Sequence, residues 1–216
     1  MAQANAQRGS SGAAEARTTT RIQRRNRRII LDAALEVFSA HGFRGATLDQ
    51  IAAEAGLSKP NILYYFDGKE AIHRALLSDL LSTWLDPLRM LNPEGEPVAE
   101  IMGYMRRKLA MSREFPRESR LFANEILQGA PRIEAVIRTD LRALVDDTAA
   151  LLRRWADQGR IAPVDPYHLI FSIWALTQHY ADFEAQIRMI RGDDTDPTDG
   201  AEAFMDTLYT RLLAPR

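Results

Sequence analysis

Residues 47 to 66 read Thr-Leu-Asp-Gln-Ile-Ala-Ala-Glu-Ala-Gly-Leu-Ser-Lys-Pro-Asn-Ile-Leu-Tyr-Tyr-Phe, which spells two short helices joined by a glycine turn. Thr47 can cap the first helix, and Gln50, three residues on, can complete a capping box. Leu48, Ile51, Ala52 and Ala55 then form an apolar stripe at helical spacing. Gly56 supplies the left-handed backbone of the reversal, Leu57 fills the crevice between the helices, and Ser58 caps the second helix. Pro60 is tolerated in that helix's first turn. The pattern is a helix-turn-helix. Its second helix exposes Lys59, Pro60 and Asn61 and is backed by Ile62 and Phe66, so it has the size and polarity to lie in a DNA major groove.

The charge distribution points the same way. The chain as a whole carries -1, yet residues 1 to 28 hold seven arginines against the single acid Glu15. Ala, Gln, Gly, Ser and Thr dominate residues 1 to 20, which cannot bury enough apolar surface to fold, so residues 1–24 are expected to be a disordered basic arm. Beside a helix-turn-helix such an arm would neutralise phosphates or enter the minor groove; on its own it would read equally well as a solubilising tail.

With 216 residues, 46% of them hydrophobic, the chain can bury one small module and one larger domain. It has no cysteine, which excludes disulfides and thiolate metal sites. No apolar run approaches the roughly 20 residues that cross a bilayer, and Met1 to Ala16 lack a signal peptide's apolar core. A soluble, cytoplasmic protein is expected.

Beyond Phe66 the periodicity is helical throughout, with no strand alternation and no internal repeat, so the fold class is all-α with about nine helices. A long helix is predicted from Lys69 to Met90, with Ile72, Leu76, Leu80, Trp84 and Leu88 on one stripe and Asp86-Pro87 kinking or shortening it. Further helices fit Val98 to Glu114, Arg117 to Gln128, Ile133 to Asp157, Pro166 to Ile190 and Ala201 to Leu213, separated by Pro- and Gly-containing breaks. Residues 25–70 would then be the DNA-binding domain and 71–216 an effector-binding and dimerisation domain.

A family resemblance covers the first of these domains. An amphipathic helix from Ile29 to His41, then Gly42-Phe43-Arg44-Gly45-Ala46-Thr47, then Tyr-Tyr-Phe-Asp-Gly-Lys-Glu at 64 to 70, resemble the N-terminal module of TetR-type transcriptional regulators in order and spacing. The resemblance implies a three-helix DNA-binding domain and a helical ligand-binding domain whose last two helices form a homodimer's four-helix interface. The segments 166 to 183 and 201 to 213 stay apolar on more than one face, as a surface covered by a second copy requires. Two recognition helices about 34 to 36 Å apart would read palindromic double-stranded operator DNA.

Carried over position by position, the family pattern makes Lys59, Pro60, Asn61 and Leu63 candidates for base edges, and Thr47, Tyr65 and Lys69 candidates for phosphate. Lys59 could donate to guanine O6 and N7, Asn61 could bond an adenine edge, and Pro60 and Leu63 could pack on thymine methyls. Many members of the family have Tyr where this chain has Leu63, so a phenol contact is lost there. The residues also have plainer readings: Asn61 as part of the helix start, Lys59 as a solvated base, and Tyr64 is expected in the core.

For the effector, the helix from Leu169 to Phe183 places Ile170, Trp174, Gln178 and Ala181 on one stripe, with Gln178 its polar member. A buried amide without partners costs about 1 to 3 kcal/mol. A ligand with an imide edge, such as uracil or thymine, would satisfy it while the Trp174 indole covers a flat ring. From spacing alone, core packing of Trp174 and an interface hydrogen bond for Gln178 compete with this. The runs 165 to 183, Ser119-Arg120-Leu121-Phe122 through Glu125, Gly129-Ala130-Pro131 and Thr83 to Leu88 are similar, within the same family, to pyrimidine-utilisation regulators. That similarity implies a repressor of pyrimidine-degradation genes released by uracil or thymine, with Trp174 and Gln178 at ligand-contacting positions and Trp84 as a possible wall. The alternative kept open is a regulator of the same type answering to another aromatic or lipophilic ligand.

An enzyme is disfavoured. His41, His73, His168 and His179 have neither metal-binding nor triad spacing, and no Gly-rich phosphate loop or nucleophile elbow is present. No catalytic residue, metal site or cofactor is expected.

Overall fold

The computed structural model describes residues 6–215, with side chains from residue 21 onward, and all regular structure among them is helical. The chain divides into two compact units, residues 1–76 and 77–216, the division falling inside one helix.

The first unit comprises α1 (Ala6–Gly45), α2 (Leu48–Ala55), α3 (Lys59–Tyr65) and the start of α4 (Lys69–Arg89). The expected basic arm, residues 1–24, lies partly outside the described residues; the backbone is helical from Ala6, and helical φ/ψ breaks only at Gly42. α1 packs on α2, and the core between these helices holds Ile30, Ala34, Phe38, Ile51, Ile62 and Ile72, each essentially inaccessible to solvent. His73 sits edge-on to both Phe38 and Phe43, closing one side of this core.

The second unit holds the rest of α4, then α5 (Pro97–Glu114), α6 (Pro116–Leu127), α7 (Glu134–Val136), a π-helical turn (Ile137–Leu141), α8 (Arg142–Asp157), α9 (Pro166–Asp182), α10 (Glu184–Arg191) and α11 (Ala201–Leu213). α9 is its axis and packs on α5, α6 and α8. The buried stripes interdigitate as the periodicity dictates: Ile101, Met105 and Leu109 of α5, Val145, Leu152 and Trp155 of α8, Ile170 and Ile173 of α9, and Met205, Tyr209 and Leu213 of α11. Trp155 donates its indole N–H to the Pro93 carbonyl at 3.1 Å, and Ala162 N–H bonds the Leu213 carbonyl at 3.0 Å, so the α4–α5 and α8–α9 loops are tied to the body of the unit.

Two boundaries depart from the sequence reading. The single helix expected over 166–190 is interrupted at Phe183, whose backbone leaves the helical region between α9 and α10. With 134–157 counted as one continuous helical run, this brings the total among the described residues to ten. α4, by contrast, continues through Asp86-Pro87 to Arg89. Pro87 lies in its last turn, where one backbone bond is forfeited and any kink is carried by only two further helical residues.

Candidate functional site

Two polar surfaces carry the chemistry, one in each unit. In the first, the helix-turn-helix is built by local hydrogen bonds. The Thr47 hydroxyl accepts from Gln50 N–H at 3.2 Å, and the Gln50 side-chain oxygen accepts from Thr47 N–H at 2.8 Å, which is the reciprocal capping box. Gly56 has φ of 62°, in the left-handed region, and Leu57 N–H reaches back to the Ala52 carbonyl at 3.0 Å to close α2. Ser58 then caps α3 by accepting from Asn61 N–H.

This scaffold leaves Lys59, Pro60, Asn61 and Leu63 exposed together on α3. Lys59 ion-pairs with Asp49 at 3.0 Å, and both side chains remain largely in solvent, so an incoming phosphate or base could displace the pair at little cost. Tyr65 is half-buried, and its hydroxyl accepts from Asn26 Nδ2 at 2.9 Å, which orients the ring and leaves the phenol proton free to donate. Arg27 lies 4.3 Å over the Phe66 ring, bringing an arginine of α1 to the end of α3.

Lys69 is engaged inward. Its ammonium donates to the carbonyls of Phe43 and Ala46, both at 2.7 Å, and lies over the Phe43 ring, so most of its donor capacity satisfies the end of α1 rather than facing outward. Thr47 is likewise occupied as a cap. Tyr64 was expected in the core and is instead 72% exposed, packed edge-on against Tyr65. α3 is so short that only Ile62 and the capping Phe66 face inward, which turns Tyr64 to solvent.

The second surface lies on the faces of α4, α5, α6 and α9 that meet within the second unit. Trp174 donates its indole N–H to the Tyr104 hydroxyl of α5 at 2.5 Å. Two turns later on the same face of α9, Asp182 accepts from the Ser119 hydroxyl of α6 at 2.6 Å. Gln178 stands midway between them, half-buried, and its amide has no hydrogen-bond partner among the described residues. Trp84 of α4 is buried and packs on Phe122 with ring centroids 6.1 Å apart. The structure therefore places Trp174 and Gln178 on one face and Trp84 elsewhere in the same unit.

Sequence reasoning missed the charged residue that joins them. Lys108 of α5, one turn after Tyr104, is only 3% exposed, and its ammonium lies 4.3 Å over the Trp84 ring. No hydrogen bond to it occurs among the described residues. Burial pushes its pKa down to about 8, against a weaker opposing pull from Asp182. Burial also raises the Asp182 carboxyl, moderated by the Ser119 hydrogen bond and by Arg120, His179 and Lys108. The Tyr104 phenol is pushed up by burial and is un-ionised at neutral pH. The signal for Lys108 was present: Ile101, Tyr104, Met105, Lys108, Leu109 and Ser112 fall on one helical stripe, and every one of them is buried.

Open grooves lie elsewhere in the second unit. One of about 720 Å³ is lined by Arg113, Asp196, Asp199, Glu202 and Asp206, and one of about 410 Å³ by Tyr180, Glu184, Arg188 and Pro197. Both are charged and open, and neither reaches Trp84, Trp174 or Gln178. Apolar side chains are also exposed along α9 and α11: Phe171, Phe204, Leu208 and Leu212, the last three at i, i+4 and i+8.

Comparison with known proteins bears on both surfaces. Residues 30–76 match the family described as bacterial regulatory proteins, tetR family, and residues 77–216 match the YcdC-like protein, C-terminal region. The HTH-type transcriptional regulator RutR of Escherichia coli K12 is 49% identical over 166 residues, covering 77% of this chain and 78% of its own. A putative transcriptional regulator, SCO4942 of Streptomyces coelicolor, superposes with a TM-score of 0.71 at 23% identity, covering 88% of this chain and 99% of its own. AibR in complex with isovaleryl coenzyme A and operator DNA superposes with a TM-score of 0.66 at 20% identity, covering 88% of this chain and all of its own.

Proposed function

Because the chain belongs to the TetR family of helix-turn-helix transcriptional regulators, we propose that it is a homodimeric repressor of pyrimidine-degradation genes that uracil or thymine releases from operator DNA. α3 is the recognition helix. Lys59, Pro60, Asn61 and Leu63 meet base edges from its exposed face, and Tyr65, held by Asn26, donates to a backbone phosphate and fixes register without reading sequence. Thr47 and Lys69 act in support, Thr47 by capping α2 and Lys69 by locking the preceding turn, with whatever donor direction each has left turned to phosphate.

Dimerisation follows from the apolar stripe on α11 and Phe171 of α9, which a second copy would cover; the symmetry doubles the number of base pairs read. AibR, a protein of the same fold, has been captured in complex with isovaleryl coenzyme A and operator DNA, so the fold can hold a small molecule and DNA.

The observation that carries the pyrimidine reading is the unpartnered amide of Gln178, set between Trp174 and Asp182. A primary amide offers one acceptor and one donor side by side, and the imide edge of uracil or thymine offers the complementary pair. The indole N–H of Trp174 is already bonded to Tyr104, so this ring contributes its face, fixed in orientation, rather than a donor. Trp84 supplies a second flat wall. A lipophilic effector would gain nothing from the amide and would leave it buried and unpaired on binding.

The test is operator binding followed by fluorescence anisotropy, using the chain's own upstream region and pyrimidine-degradation promoters, with and without uracil. Gln178→Ala should bind operator as the wild type does, while the uracil concentration for half-release rises more than tenfold. Release of the variant at the wild-type uracil concentration would overturn the assignment.

A further inference from the structure

We propose that Lys108 is a ligand-contacting residue of this effector site, donating from its buried ammonium to the ring carbonyl of the effector that Gln178 does not engage. The inference rests on the pyrimidine reading and deepens it. A buried ammonium normally appears with a carboxylate or with carbonyls that take its three donors. Lys108 has neither. Its neighbours are the face of Trp84, which attracts a cation without accepting a hydrogen bond in the ordinary geometry, and the more distant charge of Asp182, whose Oδ1 is taken by Ser119.

Placement supports a shared site. Tyr104 of α5 meets Trp174 of α9, and one turn further along α5 Lys108 comes within electrostatic reach of Asp182, so the stretch of α9 opposite Lys108 runs from Gln178 to Asp182. Two side chains with unmet hydrogen-bonding capacity thus face one region of the α5–α9 seam: an amide with a donor and an acceptor, and a cation with donors alone. A pyrimidine-2,4-dione presents N3–H flanked by two carbonyl oxygens. Gln178 accepts from N3–H and donates to one oxygen, which leaves the other for a donor-only group. Trp84 lies beneath the ammonium and holds it by its ring face.

The lowered pKa of Lys108 fits an ammonium kept in the interior without a compensating anion. Retaining it costs stability in the free protein, and this gives the inference a readout that a structural lysine would not share. If Lys108 serves packing, Lys108→Met destabilises the fold. If it serves the ligand, the same substitution stabilises the free protein and weakens the effector.

The experiment is calorimetric titration of the full-length dimer with uracil, 2-thiouracil and 4-thiouracil, for wild type and Lys108→Met, together with thermal unfolding of each without ligand. Sulfur is a poor acceptor and each ring carbonyl has its own donor, so on the wild type both thio analogues should bind at least tenfold more weakly than uracil. Lys108→Met should unfold at a higher temperature, bind uracil at least tenfold more weakly, and bind one of the two analogues as tightly as it binds uracil. Because the comparison of the analogues with uracil needs the wild type alone, the inference stays testable if the variant folds poorly. A variant that binds uracil with wild-type affinity, or a thio analogue that binds the wild type as tightly as uracil does, would overturn the role of Lys108 while leaving the pyrimidine reading intact. A wild type that binds no pyrimidine would overturn both.

Discussion

The helix-turn-helix and the α5–α9 seam satisfy their polar groups in opposite ways. Around α2 and α3 the capping atoms find partners within a few residues: Thr47 with Gln50, Gly56 and Leu57 with carbonyls of α2, Ser58 with Asn61 N–H. In the seam, the side chains of Gln178 and Lys108 have no hydrogen-bond partner among the described residues, although Trp174 is bonded to Tyr104 and Ser119 to Asp182 around them. The helix-turn-helix is finished by its own chain. On the proposed reading, the seam is left incomplete at the points where a solute would supply the missing partner.

This contrast can be broken by substitution, and the effects should fall in a definite order. The largest is expected at Glu125, whose 1% exposed carboxylate takes Arg132 N–H at 2.8 Å and Arg132 Nη1 at 2.9 Å. Glu125→Ala breaks an ion pair whose carboxylate is buried and should cost about 3 to 5 kcal/mol in urea unfolding. A loss below about 1 kcal/mol would mean that this pair contributes little to the second unit.

Next comes the pH dependence of Lys108. Its folded pKa is lowered to about 8 from an ordinary 10.5, so between those values the unfolded chain holds a proton that the folded chain has released, and stability rises with pH. Below pH 8 both states are charged and the full penalty persists. The stability difference between Lys108→Met and wild type should therefore be greatest near neutrality, roughly 3 kcal/mol in favour of the variant, and shrink as pH climbs toward 10. Taking the difference cancels Tyr104, whose raised pKa works in the opposite sense above its ordinary range. A gap independent of pH would contradict the assignment.

The smallest effect belongs to the self-sufficient surface. Thr47→Ala removes one cap of α2 and should cost about 1 kcal/mol in thermal unfolding, with operator affinity falling only as far as α2 frays. A much larger loss of DNA affinity than of stability would make the Thr47 hydroxyl a phosphate ligand in its own right.

The same contrast explains what could be read from the residues. The helix-turn-helix was legible because its determinants are local: a capping pair three residues apart, a glycine, a serine cap and an apolar stripe. The bounds of α11 were legible for the same reason, lying between a glycine-containing loop and Ala-Pro. The break at Phe183 was not, since 166–190 contains no glycine or internal proline to mark it. Tyr64 was misplaced because aromatic residues in a short helix give no periodicity to separate inside from outside. Trp174 and Gln178 share a stripe of their own helix and can be picked from it, whereas Tyr104, Ser119 and Lys108 approach that helix from α5 and α6. Lys108 also follows Arg106 and Arg107, so a residue that faces inward reads as one more solvated base in a basic run.

The anchorage of Lys69 has a mechanical consequence. By clasping two carbonyls at the far end of α1, this side chain staples the first turn of α4 to the corner from which α2 departs. Whatever tilts the start of α4 drags that corner with it, so a small rotation is delivered to the DNA-reading pair as rigid movement instead of being absorbed by slack backbone.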